Sequence, residues 1–396
     1  MVEWKKLGEI ASYYRGVTYN KKQEVESNSG GIKILRANNI TLDNNSLNFD
    51  DVKEIDNSVK IRDNQWLYPN DILICSGSGS KEHVGKVAYI DKEIGYAYGG
   101  FMGKLVTKSC LNSRYLFHIL CGSIFKDYLK VALNSTTINN LNSEIINNFP
   151  IPTPSLPEQE RIVGILDTFT SAIDNLKAQI AQRRKQYEFY RDQLLDLEGK
   201  EGVEMKTLGE VCSKLTDGSH FSPKSVEHGY YMPSVKDMTN NGFDYSNCKQ
   251  VSREDYEDLI RNGCKPQIND VLIAKDGSML KYVFPIIKEE EIAVLSSIAI
   301  LTPRTDIITS SYLSHYLKCA KIREKTIREF SSKGGVPRII LKNFKKICVC
   351  FPPLSEQQRI VSILDTFEAS IQNLEAQLKQ REKQYEYYRN KLLTFE

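Results

Sequence analysis

The stretch "LPEQERIVGILDTFTSAIDNLKAQIAQRRKQYEFYRDQLL" (Leu156–Leu195) returns near the end of the chain as "LSEQQRIVSILDTFEASIQNLEAQLKQREKQYEYYRNKLL" (Leu354–Leu393). Extended to residues 156–198 and 354–396, the two copies align without a gap, and about 27 of 43 positions are identical. Apolar positions in the first copy fall at Ile162, Leu166, Phe169, Ile173, Leu176 and Ile180, then at Tyr187, Tyr190, Leu194 and Leu197. The second copy repeats them at Ile360, Leu364, Phe367, Ile371, Leu374 and Leu378, then at Tyr385, Tyr388, Leu392 and Phe395. Steps of four and three alternate, with Arg183 and Arg381 at the one skipped position. This is an a/d stripe, so each copy reads as one long helix with a coiled-coil seam. At 1.5 Å per residue the stripe runs roughly 50 Å.

Start signals agree with that reading. Ser355 with Gln358 fits a capping box, and Ser155 with Glu158, followed by Pro157, fits the same role in the first copy. Pro152, Pro154, Pro352 and Pro353 keep helix from extending backwards. Each helix has an obvious partner in the other copy. Antiparallel pairing within the chain is expected, holding two globular heads at opposite ends. Packing of each helix on its own head, or homodimerisation, are the alternatives. Arg183 and Arg381 either mark the register or snorkel to solvent.

The heads echo one another more faintly. "VEWKKLGEI" (Val2–Ile10) returns as "VEMKTLGEV" (Val203–Val211), "NDILI" (Asn70–Ile74) as "NDVLI" (Asn269–Ile273), and "YLFHIL" (Tyr115–Leu120) as "YLSHYL" (Tyr312–Leu317). The plan is therefore head 1–155, helix 156–198, head 203–353, helix 354–396. Short apolar or alternating runs between Gly/Asn/Ser turns predict strands: "IKILRA", "DILIC", "GKVAYI" and "GKLVT" in the first head, "DVLIA", "YVFPII" and "SSIAIL" in the second. One helical stretch follows in each, Ser113–Leu133 and Ser311–Phe330. The fold class is α+β: two α/β heads with strand-rich curved sheets, joined by two long antiparallel coiled-coil helices in a pseudo-twofold internal repeat.

Composition is that of a globular protein: 396 residues, 41% hydrophobic, 26% charged, net charge +3. The helical copies are slightly acidic, so the basic excess lies in the heads. That permits nucleic-acid binding without demanding it. No apolar signal segment opens "MVEWKKLGEI", and the longest apolar runs are about half a membrane span. The expected location is the cytoplasm, with no membrane contact. Nine cysteines, none in a CxxC pair, and five histidines without ligand spacing predict reduced thiols and no metal site.

Catalytic signatures are missing. No Asp/Asn-Pro-Pro-aromatic motif for adenine methylation is present. "AYGGFMG" (Ala97–Gly103) precedes a strand rather than a helix, and "GSGSKEHVGK" (Gly77–Lys86) misses P-loop spacing, with Val87 where a Ser or Thr should hold magnesium. Asp51-x-Lys53 lacks the acidic partner a nuclease needs and reads as a surface turn. What remains are polar loops at matched places in the two heads, different in content. Their Lys, Arg, Ser, Thr, Asn and Tyr suit phosphate and base-edge contacts, and equally suit solvated turns.

"FPIPTPSLPEQERIVGILD" and "VCFPPLSEQQRIVSILD", each following a variable head, closely resemble the specificity (S) subunits of type I restriction–modification systems, over essentially the whole chain. The resemblance implies that 1–155 and 203–353 are target recognition domains, each reading one half of an asymmetric bipartite site in double-stranded DNA. It implies that the paired helices set the spacer and dock two modification (methyltransferase) subunits, and that two restriction (endonuclease/translocase) subunits complete the complex. It also implies no catalytic residue and no cofactor in this chain, with S-adenosylmethionine, ATP and magnesium on the partners. DNA contacts are expected from loop residues: Arg15, Tyr19, Arg36, Asn38, Ser78 and Lys81 in the first head, and Asp217, His220, Lys236, Lys275, Lys333 and Arg338 in the second. Asp217 either accepts a hydrogen bond from cytosine N4 or caps a turn. The rival functions are a stand-alone methyltransferase or nuclease, and a coiled-coil scaffold that does not recognise DNA.

Overall fold

The computed structural model describes residues 2–41, 45–134, 140–276, 280–331 and 338–395. The chain divides into two compact units, Met1–Lys177 with Ala376–Glu396, and Ala178–Glu375. Each long helix contributes one half to each unit.

In the first unit a four-stranded antiparallel sheet runs in the order Ala11–Arg15, Met102–Thr107, Ile72–Cys75, Val87–Tyr89. In the second the order is Cys212–Asp217, Ile298–Pro303, Val271–Ala274, Val283–Pro285. The registers correspond. Arg15 pairs with Gly103, which also faces Ile74, and Asp217 pairs with Ala299, which also faces Ile273. Arg15 and Asp217 thus occupy the same place in the two frameworks. Every strand-like run quoted from the sequence contains a strand.

The helical stretch expected after each sheet is two helices, Ser113–Cys121 and Ser123–Asn134 in the first unit, Ser310–Lys318 and Ala320–Phe330 in the second. The chain turns extended at Gly122 and at Cys319, and the apolar pattern across the break had masked it. The second head also carries a helix, Arg253–Arg261, that the strand pattern did not foresee. Ser252 caps it by accepting from the Asp255 amide, and Tyr256 and Leu259 bury one face. The first head has a small second sheet of Glu24–Val25, Lys53–Ile55, Ile32–Leu35 and Ala97–Tyr98, and the second head has the smaller pairs Tyr230–Tyr231 with Gln250–Val251 and Met238–Thr239 with Gly242–Phe243.

The strand before each long helix pairs with the echo segment at the start of its repeat, Pro150–Thr153 with Glu3–Lys6, and Cys348–Phe351 with Glu204–Thr207. The helices then run Leu156–Leu195 and Leu354–Thr394. The proposed capping box at Ser355 is not formed. The second helix begins at Leu354, the Pro353 carbonyl accepts from the Glu356 and Gln357 amides, and Ser355 lies inside the first turn. Within each unit the two helical halves pack antiparallel. In the first, Phe169 stacks on Tyr388 (5.3 Å, 24°) and Lys177 pairs with Glu382 (3.7 Å). In the second, Tyr190 stacks on Phe367 (5.4 Å, 25°) and Arg184 pairs with Glu375 (2.5 Å). The arginines at the skipped seam positions lie over seam phenylalanines, Arg381 over Phe169 and Arg183 over Phe367, at 5.8 and 5.9 Å.

One glutamine fastens each head to its helix. Gln159 is fully buried. Its Oε1 accepts from the Asn112 amide (2.8 Å), and its Nε2 donates to the Cys110 and Pro154 carbonyls (3.2 and 2.9 Å). Gln357 repeats this with the Thr309 amide and the Ile307 and Pro352 carbonyls, all at 2.9 Å. Asn112 and Thr309 are the N-caps of the next helices, so the clamp fixes two elements at once.

A buried histidine adds a second tie. His118 places Nε2 at 2.8 Å from Asp167 and Nδ1 at 3.0 Å from the Tyr385 hydroxyl. Burial holds His118 below its ordinary value of 6.5, against the pull of Asp167. Burial works against the Asp167 charge, but the bonds from His118 and Arg114 outweigh it and keep that carboxyl below 3.8. A neutral imidazole donating to Asp167 and accepting from Tyr385 fits both directions. In the second unit His315 meets Asp365 at 2.8 Å and the Tyr187 hydroxyl at 3.3 Å, with Glu368 and Lys318 added.

Two outcomes are expected. Replacing Gln159 or Gln357 with Leu strands one buried amide and leaves two carbonyls short of a donor, and it should lower stability by about 2–4 kcal/mol in urea unfolding. A His118 that binds protons more weakly folded than unfolded gives stability that is full above about pH 6.5 and is lost as pH falls through its folded value. Asp167 adds a further loss at lower pH. Urea midpoints should fall from pH 7.5 to pH 5.5, and His118→Gln should flatten that slope.

Candidate nucleic-acid interface

In the first head, the end of the sheet opens into a cleft of about 1230 Å³. Arg15, Tyr19, Arg36, Asn38 and Ser78, five of the residues expected to contact DNA, all line it. The chain folds that way for local reasons. Gly16 follows Arg15 where the backbone passes the next strand so closely that a Cβ would fall 2.2 Å from the Gly99 carbonyl oxygen. The exposed Arg15 is therefore set at the rim by a strand end and a glycine. Arg36 and Asn38 ride on the 3-10 turn Ala37–Asn39. The Asp51 carboxylate accepts from both, at 2.8 Å from Arg36 and 3.0 Å from Asn38. The Asp51 surface turn is thus a positioning group. Lys86 is buried beneath and donates to the Ala37 and Ile40 carbonyls, so the lysine of the P-loop-like stretch supports this turn rather than a phosphate.

Among the described residues, three buried polar atoms of the cleft lack a hydrogen-bond partner: Arg36 Nε, His83 Nδ1 and Asn140 Oδ1. They offer donor and acceptor capacity that a ligand can meet. Arg15 at the strand end and Lys21 on a 3-10 turn, both exposed, supply positive charge. The Lys81 side chain lies outside the described residues.

At the same end of the second sheet the chemistry differs. Asp217, in the place of Arg15, pairs with Lys275 at 3.1 Å, and both side chains are nearly buried, 12% and 6% exposed. The exposed His220 lies 3.2 Å from the same carboxylate. Arg338 pairs with Asp276 at 2.9 Å. Four of the expected residues, Asp217, His220, Lys275 and Arg338, are thus brought together, but as an ion-pair network. The Asp217 carboxylate is thus held by Lys275 and His220 in this structure, on the same oxygen. Lys236 stands exposed on the turn Val235–Asp237, which is fixed by the Asp237 carboxylate accepting from the Ser234 amide and hydroxyl (2.8 and 2.9 Å). Lys333 lies outside the described residues.

His315, Asp365 and Glu368 place ligand atoms within 4.8 Å of one another. Lys318 already stands 3.2 Å from Glu368, and the Tyr187 hydroxyl donates to it at 2.6 Å, so the cluster balances its charge with protein groups. All nine cysteines are unpaired thiols. Among the described residues no helix is long and apolar enough to cross a membrane.

The profile of the type I restriction modification DNA specificity domain matches twice, over residues 1–183 and 200–382. The chain belongs to that family. A putative type I restriction enzyme specificity subunit of Haemophilus influenzae is 28% identical over 417 residues, spanning 100% of this chain and 96% of that protein. The EcoR124I/EcoR124II specificity subunit of Escherichia coli is 35% identical over 267 residues, 62% of this chain and 63% of that one. Among solved structures, the S subunit of a type I restriction-modification system from M. genitalium superposes with a TM-score of 0.58 at 16% identity, covering 100% of this chain and 97% of the other. A chain from a structure of type I R-M complex assembly gives 0.60 at 16% identity, covering 99% and 97%. These two likenesses show the fold.

Within this specificity-domain framework, sequence reading passed over Phe101, His83 and Asn140, which complete the cleft of the first head. Phe101 sits in "GGFMG", where an aromatic among glycines is the sequence signal. Asn140 and His83 lie in the polar sequence stretches 134–142 and 75–83 of the first head.

The ion pair of the second head gives a test. Lys275→Met leaves the Asp217 carboxylate nearly buried without its cation and should cost about 3–5 kcal/mol in denaturant unfolding, with the Asp217→Asn/Lys275→Met double variant recovering much of it. Arg15→Ala, on an exposed side chain, should stay within about 0.5 kcal/mol of wild type.

Proposed function

We propose that this chain is the DNA-specificity subunit of a type I restriction–modification complex, and that each head reads one half of an asymmetric bipartite sequence in double-stranded DNA. One observation carries the reading. Two sheets of matching register end in different chemistry at equivalent places, Arg15 against Asp217 and Asn140 against Arg338. A shared framework with divergent tips is what two readers of two different half-sites require. Arg15, Tyr19, Arg36, Asn38, Ser78 and Lys81 are the proposed contacts of the first head. Asp217, His220, Lys236, Lys275, Lys333 and Arg338 are those of the second, where Asp217 and Lys275 act by shaping the surface that His220 and Arg338 present.

In this reading the chain catalyses nothing itself and works in the cytoplasm, where its DNA lies. Two modification subunits bring adenine methylation and S-adenosylmethionine, and two restriction subunits bring ATP-driven cleavage with magnesium. The paired helices set the spacer, so a change in their length changes the distance between half-sites. Equivalent exposed aromatics, Phe189 on the first helix and Tyr387 on the second, are 63% and 60% exposed and suit docking of two copies of one partner.

The test is genome-wide mapping of N6-methyladenine in cells that carry this chain with its modification subunit. A bipartite motif should appear only when the chain is present, and exchange of residues 203–353 should alter one half-site alone. Arg15→Ala should weaken DNA binding and reduce its salt dependence by about one unit of slope. Methyl transfer by the purified chain alone would favour a stand-alone enzyme. A complex with active modification subunits and no motif would favour a scaffold.

A further inference from the structure

Phe101 is 73% exposed, yet its backbone is held through its carbonyl and the turn around it. Its carbonyl accepts from the Ser76 and Gly77 amides, both at 2.9 Å. The turn around it closes through the Met102 amide and the Gly99 carbonyl at 2.8 Å. Gly100 packs so tightly that a Cβ would meet the Thr18 hydroxyl at 3.1 Å and the Val17 carbonyl oxygen at 3.3 Å. The fold therefore fixes the base of a phenylalanine and leaves its ring in solvent, in the cleft that also carries Arg15, Arg36 and Asn38.

The framework does not demand an aromatic there. Met102 and Ile298 are register equivalents, facing Cys75 and Ala274, so the second head has Ser297 in the place of Phe101. The Ser297 hydroxyl is turned inward and accepts from the Val235 amide at 3.1 Å. The second head exposes a phenylalanine from another loop, Phe221, 70% exposed, four residues beyond Asp217. There the Ser219 hydroxyl accepts from the Phe221 amide (3.1 Å) and donates to its carbonyl (2.7 Å), again fixing the backbone. A ring kept in water by a rigid turn, amid cationic and amide side chains, is suited to pack against the stacked face of bases.

We propose that Phe101 is a specificity-determining wedge: its ring enters one base step of the first half-site and partly unstacks it, while Arg15 and Arg36 hold the flanking backbone. This rests on the DNA-reading function proposed above. Because an opened step costs energy that depends on its sequence, the first head selects bases by deformability as well as by hydrogen bonds.

The experiment uses the full chain assembled with its modification subunits, on duplexes bearing its mapped site. 2-Aminopurine is placed in turn at each purine of the first half-site except the base that becomes methylated. Wild type should raise the fluorescence at one step on binding. Phe101→Ala should abolish that rise and weaken binding roughly 5- to 100-fold, and Phe101→Leu should retain part of both. Thermal unfolding of both variants should match wild type, since the ring makes little of the core. Unchanged affinity and fluorescence with Phe101→Ala would overturn the wedge and leave the DNA-reading function standing. Weakened binding by Phe101→Ala with no opened step in wild type would also overturn it. Absence of DNA binding by the wild-type complex would overturn the reading beneath it.

Discussion

Two buried glutamine side chains hold this molecule's plan together. Gln159 and Gln357 each satisfy an amide and two carbonyls in places that water does not reach. The peptide groups they bind belong to the loop before a head helix and to the prolines before the long helix. A shorter polar residue would not span the three groups, and an apolar one would leave them unpaired. From that constraint follow the fixed departure of the long helix, the place of His118 or His315 against it, and the two core clusters that close around Ile162 and Ile360.

The heads show how a repeated frame tolerates variation. Strand pairing, the glycine crossing at Gly16 and Gly218, and the tyrosines that donate to the last strand, Tyr115 to Pro152 and Tyr312 to Cys350, recur in both units. The sheet ends are released from those duties. One carries a cleft whose donors and acceptors include some unpartnered among the described residues, and the other a nearly buried Asp217–Lys275 pair whose net charge is close to zero. Electrostatic identity can therefore invert at one register position without disturbing the sheet below.

The helices, their antiparallel pairing and most sheet strands were legible in the sequence, because periodicity reports burial directly and the repeat reports it twice. The break at Gly122 was not, since Ser113–Leu133 keeps an apolar pattern across it. The cap of the second long helix falls at Pro353, two residues before Ser355, and was not legible because a cap motif and a first-turn residue look alike in a sequence. In the first head, polar loop residues did converge on one cleft. In the second, the Asp217–Lys275 pairing was hidden, because the partners are 58 positions apart and no local pattern links them. Phe101 was hidden for the opposite reason: an apolar residue beside a strand reads as core, and only the clamped turn shows that its ring is left outside.

The first unit draws Tyr385, Leu392 and Leu393 into its hydrophobic core, although its other members end at Lys177. A ribosome delivers residues in order. The amino-terminal head must therefore wait, its helix seam open and its apolar face bare, while nearly two hundred residues of the second unit are made. The second unit, continuous in sequence from Ala178 to Glu375, can close as soon as it emerges. The half that is synthesised first is thus the half that finishes folding last, and the burden of shielding a newborn chain from aggregation falls on the amino-terminal head.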